Sequence, residues 1–152
     1  TPLYSSAASD VYKRQNGMIT GPKKLVKMAA FLTNVLNIEK DFTLEIKRKK
    51  LSDVSAECLR IDDSEFEINL SKNAVSTDIE LLGHEMVHLK QYLEGRLIDR
   101  GPIPEGYLYH WEGKPYVCGK LMDDYFLCPW EMEARALEAY CLYRWTSTRK
   151  KN

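Results

Sequence analysis

Apolar positions change their spacing several times along the chain, and each change marks an element. Leu25, Met28, Ala29, Leu32, Val35 and Leu36 recur at helical spacing, with Lys23, Lys24 and Lys27 on the wet side. Pro22 opens this pattern, as proline does at a first helical turn. Period two then takes over. Phe42, Leu44 and Ile46 alternate with Thr43, Glu45 and Lys47, the pattern of a half-buried strand. Leu59 and Ile61 suggest a second strand, and Asp62-Asp63-Ser64 a turn. Phe66, Ile68 and Leu70 alternate with Glu65, Glu67 and Asn69 to give a third. The short connections favour an antiparallel meander.

Helical spacing returns at Leu82, Met86, Leu89 and Leu93. Thr77-Asp78-Ile79-Glu80 is a capping box before that run, and Gly95 a stop after it. From Arg96 to Cys128 the chain is rich in glycine, proline and aromatics, with a hairpin pattern over Tyr107–Val117. Pro129 opens a last helix with Trp130, Ala134, Leu137 and Cys141 on one face. This order predicts an α+β domain: N-terminal helix, three-stranded antiparallel sheet, central helix, hairpin cover and C-terminal helix.

Composition narrows the class. The 152 residues suit one domain, and 44% hydrophobic with 29% charged is ordinary globular usage. No apolar run is long enough to span a bilayer. The formal net charge is zero, which argues against nucleic acid or acidic lipid as a partner. The basic runs Lys47–Lys50 and Arg149–Lys151 read as solvated ends. Cys58, Cys118, Cys128 and Cys141 form no CxxC pair and read as free thiols of a reducing compartment, three of them inside apolar patterns where a thiol behaves as a small hydrophobe. A structural zinc site from Cys118, Cys128 and His110 has no spacing to support it. Residues 1–15 stand apart: Ser5–Gln15 resembles the frame translation of a transposase sequencing adapter, and Thr1–Tyr4 fits the adapter's upstream index region. The segment is expected not to be native, which leaves 16–152 as the domain and Met18 as a candidate start.

The chemistry lies in His84-Glu85-Met86-Val87-His88, inside the central helix. Residues four apart share a helical face, so His84 and His88 can ligate one ion. Zinc accepts imidazole nitrogens readily. Glu85, at the edge of that face, is placed to take a proton from a metal-bound water. Catalytic zinc needs a third protein ligand and an open position. Glu131 and Glu133, in the first turns of the last helix, both qualify on the helical wheel; Asp99, Asp123 and Asp124 are weaker candidates.

Leu82 to Tyr92, followed by Pro129-Trp130-Glu131-Met132-Glu133-Ala134, resembles small HExxH metallopeptidase-like proteins of phage and environmental genomes, which look like minimal gluzincins. The resemblance runs from about Glu65 to Tyr140. It implies a zincin-like layout and zinc-dependent hydrolysis of peptide bonds in a peptide or protein substrate. It also implies Glu131 as third ligand, as the glutamate of an ExxA pattern. With the thiols it implies a cytoplasmic setting, bacterial or in a phage-infected cell. Phe66–Leu70 would be the edge strand beside the metal, open to an extended substrate. An oxyanion also needs a donor. Tyr125, just before the ligand helix, leads over Tyr109, His110 and Arg135. The rival readings are an inactive metal-binding interaction domain and a DNA-associated protease similar to SprT-like enzymes. A deformylase is disfavoured, because Ala56-Glu57-Cys58-Leu59 lacks that family's Glu-Gly-Cys setting.

Overall fold

The structure, a computed structural model, describes residues 9–14, 17–72, 76–119 and 122–150. Its elements run β1 (Ser9–Arg14), β2 (Gly17–Pro22), α1 (Lys23–Val35), β3 (Thr43–Lys49), β4 (Ala56–Asp62), β5 (Glu65–Ser71) and α2 (Asp78–Leu93). Then come β6 (Leu97–Ile103), β7 (Gly106–Trp111), β8 (Lys114–Cys118), α3 (Met122–Phe126) and α4 (Pro129–Lys150). Most of the adapter-like segment, residues 1–8 and Gln15, lies outside the described residues. Its Ser9–Arg14 stretch forms β1, an edge strand with side chains almost all exposed.

The helices form where the apolar spacing placed them. Pro22 sits at the N-cap of α1. Both halves of the Thr77–Glu80 capping box are made at the start of α2, and Gly95 follows its C-cap with φ +75°. Leu25, Met28, Ala29 and Leu32 of α1 join Leu82, Met86 and Leu89 of α2 over Ile19, Leu44, Ile46, Phe66, Ile68 and Leu70 of the sheet. That face is the main core.

The sheet itself corrects the expected layout. It is not one short three-stranded antiparallel meander, so the zincin-like arrangement does not hold. Five strands in the order β1-β2-β3-β5-β4 make a mixed sheet, and a second sheet holds β6-β7-β8. β3 runs parallel to β5 from Thr43↔Glu65 to Lys49↔Ser71, while β4 pairs antiparallel on the outer side of β5. The reason is burial. β5 buries Phe66, Ile68, Asn69 and Leu70, whereas β4 buries no residue. A strand that is apolar on its inward face gains most from a central position, so the wetter strand takes the edge although it comes earlier in the chain.

The change of order also moves the substrate edge. Glu67 is flanked by Glu45 and Leu59, and Asn69 by Lys47 and Glu57. An extended peptide therefore cannot pair with Phe66–Leu70, and the free edge beside it belongs to β4. The outward face of this sheet is wet. Lys47 Nζ lies 2.7 Å from Glu67 and 3.0 Å from Glu45 there, while Arg48, on the helix side, pairs with Asp78 at the start of α2.

The glycine- and aromatic-rich stretch is more ordered than a hairpin cover. β6 adds to the hairpin, whose turn places Glu112 at φ 51° and Gly113 at φ 82°. Positive φ at both central positions matches the twist of a two-residue hairpin. This sheet meets the start of α4 through a small second cluster: Leu97, Trp111, Cys118, Cys128 and Trp130. Cys118 and Cys128 form a disulfide, which corrects the reading of four free thiols and withdraws its support for a reducing compartment. Cys58 and Cys141 are free. No helix among the described residues is long and apolar enough to cross a membrane.

Candidate metal centre

The centre forms where α2 crosses α4. The two helices come close at Gly83: a Cβ there would stand 3.0 Å from the Cys141 Cβ and 3.3 Å from its sulfur. That approach brings the first turns of α4 up to His84 and His88, which follow Gly83 along α2. Among the described residues, His84, His88 and Glu131 are the one group of His, Cys, Asp and Glu side chains that converges closely enough to hold a metal ion. His88 and Glu131 are buried, and His84 is partly so.

Hydrogen bonds assign the protons. Gln91 Nε2 donates to the Trp130 carbonyl at 3.0 Å and to Glu133 at 3.1 Å, so its Oε1 faces His88 Nδ1, 2.9 Å away. His84 Nδ1 lies 3.0 Å from Glu138 Oε2. Both Nδ1 atoms therefore face acceptors and carry hydrogens. In the neutral rings both Nε2 atoms are then lone-pair donors to a metal. They lie 3.2 Å apart. One carboxylate oxygen of Glu131 is 2.8 Å from His84 Nε2, and the other is 3.1 Å from His88 Nε2.

With both rings neutral, the two Nε2 atoms and the two Glu131 oxygens converge without a proton among them. Such a set repels itself unless a cation sits between. The spacing fits one: with metal–nitrogen bonds of about 2.0–2.1 Å, a tetrahedral zinc separates neighbouring donors by about 3.3 Å. Without a metal, protons do this work. Burial disfavours charge on His84 and His88, yet hydrogen bonding and charge from Glu131 outweigh it and raise both above the ordinary imidazole range. Burial would lift Glu131, but the hydrogen bonds from His84 and His88 hold it well below the carboxylate range. The same field that draws protons here draws a divalent cation.

Glu85 is 7% exposed and makes no hydrogen bond among the described residues. Burial, opposed by the charges of His88 and His84, holds it above the usual carboxylate range. It faces a cleft with two lobes that share Val54, Ala56, Glu85 and Tyr125. The lobe beside His88 encloses about 260 Å³, and the lobe beside His84 about 380 Å³. Both run under the start of β4. A larger hollow of about 830 Å³ lies between α1 and α4, bordered by Lys23, Lys27 and Trp145, but no metal-ligating set adjoins it.

The candidates from the sequence separate cleanly. Glu131 enters the triad. Glu133 turns away and grips Arg96 with both oxygens, at 2.9 and 2.8 Å. Tyr125 sits where the two lobes meet; burial, then the charge of Glu131, push its phenol above the ordinary range. Tyr109 lines the His88 lobe and Arg135 the His84 lobe, with Arg135 Nε 3.7 Å from Glu131. His110 is bonded to Arg100 and borders neither lobe. Asp99 lines the His88 lobe but is no ligand, and Asp124 is none either. The side chain of Asp123 lies outside the described residues.

Sequence reasoning missed the residues that orient the ligands. Gln91 sets His88 and is itself held by Glu133, which Arg96 holds in turn. Glu138 sets His84. Spacing carried a signal for both: Gln91 follows His88 by three residues and Glu138 follows Glu131 by seven, which returns each to the same helical face. No protein-family model, curated protein or solved structure matches the chain. The case for a metal therefore stands on this geometry and on the HExxH run.

Proposed function

We propose that the protein is a zinc-dependent peptidase with His84, His88 and Glu131 as ligands and Glu85 as general base. The carrying observation is the convergence of His84 Nε2, His88 Nε2 and the Glu131 carboxylate beside Glu85, itself only 7% exposed. Zinc is favoured by two imidazoles and one carboxylate that leave a fourth position open. When bound, such an ion lowers the pKa of coordinated water toward neutrality and polarises a carbonyl.

The residues of the chain supply the rest. Glu85, raised by burial, is suited to accept a proton from the nucleophilic water and pass it to the leaving amine. The Tyr125 hydroxyl stays protonated beside Glu131, within the cleft, and would be the donor to a developing oxyanion. Gln91 and Glu138 fix the imidazole tautomers, as outer partners of metal-bound histidines do. The free edge of β4, above both lobes, offers backbone groups to an extended substrate. The DNA-associated alternative is weakened because Lys47, Arg48 and Lys49 already pair with acidic neighbours.

Elemental mass spectrometry of the zinc-treated protein tests the centre. About one zinc per chain is expected, kept in Glu133→Gln and lost in Glu131→Gln. Glu85→Gln should keep the zinc and lose roughly 10²- to 10⁴-fold in peptide turnover. Zinc retained with turnover unchanged would remove Glu85 as base; no zinc in the parent would end the enzyme reading.

A further inference from the structure

We propose that the lobe beside His88 takes a cationic side chain, lysine or arginine, next to the bond that is cut. This inference rests on the peptidase reading above and names the substrate class of that same cleft. The lobe is walled by rings: Tyr92, Tyr109, Tyr125 and Trp130 line it, with Tyr109 and Trp130 centroids 4.8 Å apart. Carboxylates border it as well. Asp99, directly across the strand pair from Tyr109, lines its wall, and Glu57 is a second acid there. No lysine or arginine is among its lining residues. Asp99 accepts the Gly101 amide at 2.8 Å through Oδ1 and makes no ion pair among the described residues.

Ring faces attract a desolvated cation, and a carboxylate at the same wall adds charge. The methylene stem of lysine or arginine lies well against aromatic walls while its head reaches a polar rim. Asp99 is exposed, and a neutral aliphatic side chain would use the walls without the attraction of its charge. The opposite lobe has another character. There Arg135 lies over the Phe126 ring, 3.8 Å from its centroid, in a lining that also holds Asp53, Glu131 and Glu138. Of the two, only the lobe beside His88 joins acidic groups to a wall of rings with no lysine or arginine in its lining, which favours it for a cationic side chain and sets the direction of the substrate across the centre. Glu85, 7% exposed, lines this lobe beside His88 and so places the reacting bond at its mouth.

The test uses the zinc-loaded protein and pairs of Nα-acetylated, C-amidated peptides. Within each pair one residue changes, lysine to norleucine or arginine to citrulline. Mass spectrometry locates the cut, and kcat/KM gives the preference. The charged member should be cleaved at least on the order of ten-fold better, with the cut beside the charged residue. In Asp99→Asn, which keeps the acceptor for Gly101, the ratio should fall to near one. Equal rates for both members of each pair would overturn the inference and leave the peptidase reading intact. A second measurement is independent of turnover: calorimetry of Nα-acetyl-arginine amide and Nα-acetyl-citrulline amide with zinc-loaded Glu85→Gln. Tighter binding of the arginine amide, lost in Asp99→Asn, upholds the lobe even where no peptide is cut, and only the peptidase reading then falls. Equal binding of the two amides overturns the inference.

Discussion

The two sheets are held together by different means. The five-stranded sheet lies under α1 and α2 in one continuous core of aliphatic and aromatic residues. The three-stranded sheet is held to α4 by a cluster of five buried residues, one disulfide and a stack of Arg96 over Trp111 at 4.5 Å. The candidate metal centre straddles them. His84 and His88 ride on the helix of the large core, while Glu131 stands one residue beyond Trp130, in the small cluster. A large core spreads each loss over many contacts. A small one concentrates its stability in single side chains. The third ligand is therefore the more easily displaced part of the site, and the comparison can be broken at several points.

Trp130→Ala should have the largest effect. Deleting a fully buried tryptophan costs about 3–5 kcal/mol, and the lost side chain is the one that seats the three-stranded sheet on α4. Denaturant unfolding of the metal-free protein measures it, and zinc content should fall with it. Opening the Cys118–Cys128 disulfide comes next. Its ends are 10 residues apart in sequence. Chain entropy for so short a loop gives about 2–3 kcal/mol. Zinc affinity should drop after reduction, because the released segment carries Tyr125 and leads into Glu131. Unfolding that ignores reductant would show that the small cluster holds without its staple.

Gln91→Ala tests the relay into His88. Loss of an outer partner of a ligating histidine typically costs 10- to 100-fold in metal affinity. Competition against a zinc chelator reads this directly, and an unchanged affinity would leave Gln91 a packing residue. The smallest effect belongs to the wet face of the large sheet. Glu67 is lowered to about 2 by hydrogen bonds from Lys47 and Asn69. Its carboxylate form is favoured in the folded state. The stability it contributes is therefore complete above its unfolded value of about 4.3, and it is lost as pH falls toward 2. Glu67→Gln should flatten the acid limb of unfolding over that window and change little at neutral pH.

Legibility differed between the same two regions. The first two helices, the capping box and the histidine pair were open to inspection because each is a local fact: spacing along one chain decides which residues share a face. Glu131 could not be separated from Glu133 by spacing, since both lie in the first turns of α4. Only the crossing at Gly83 turns one toward the histidines, and only Arg96, from another element, holds the other away. The same holds for strand order. Alternation identified the strands that became β3 and β5, but adjacency in sequence suggested a meander. What put β5 inside and β4 at the edge was the burial each could gain against α1 and α2.

By itself, then, the sequence determined the period of each segment, the start and stop of α2, and a helix with two imidazoles on one face beside a carboxylate. These follow from backbone geometry over a few residues. The tertiary structure decided which glutamate completes the triad, which strand is free for a substrate, and that Cys118 meets Cys128. Those depend on groups far apart in the chain competing for the same space, and packing resolves that competition where spacing cannot.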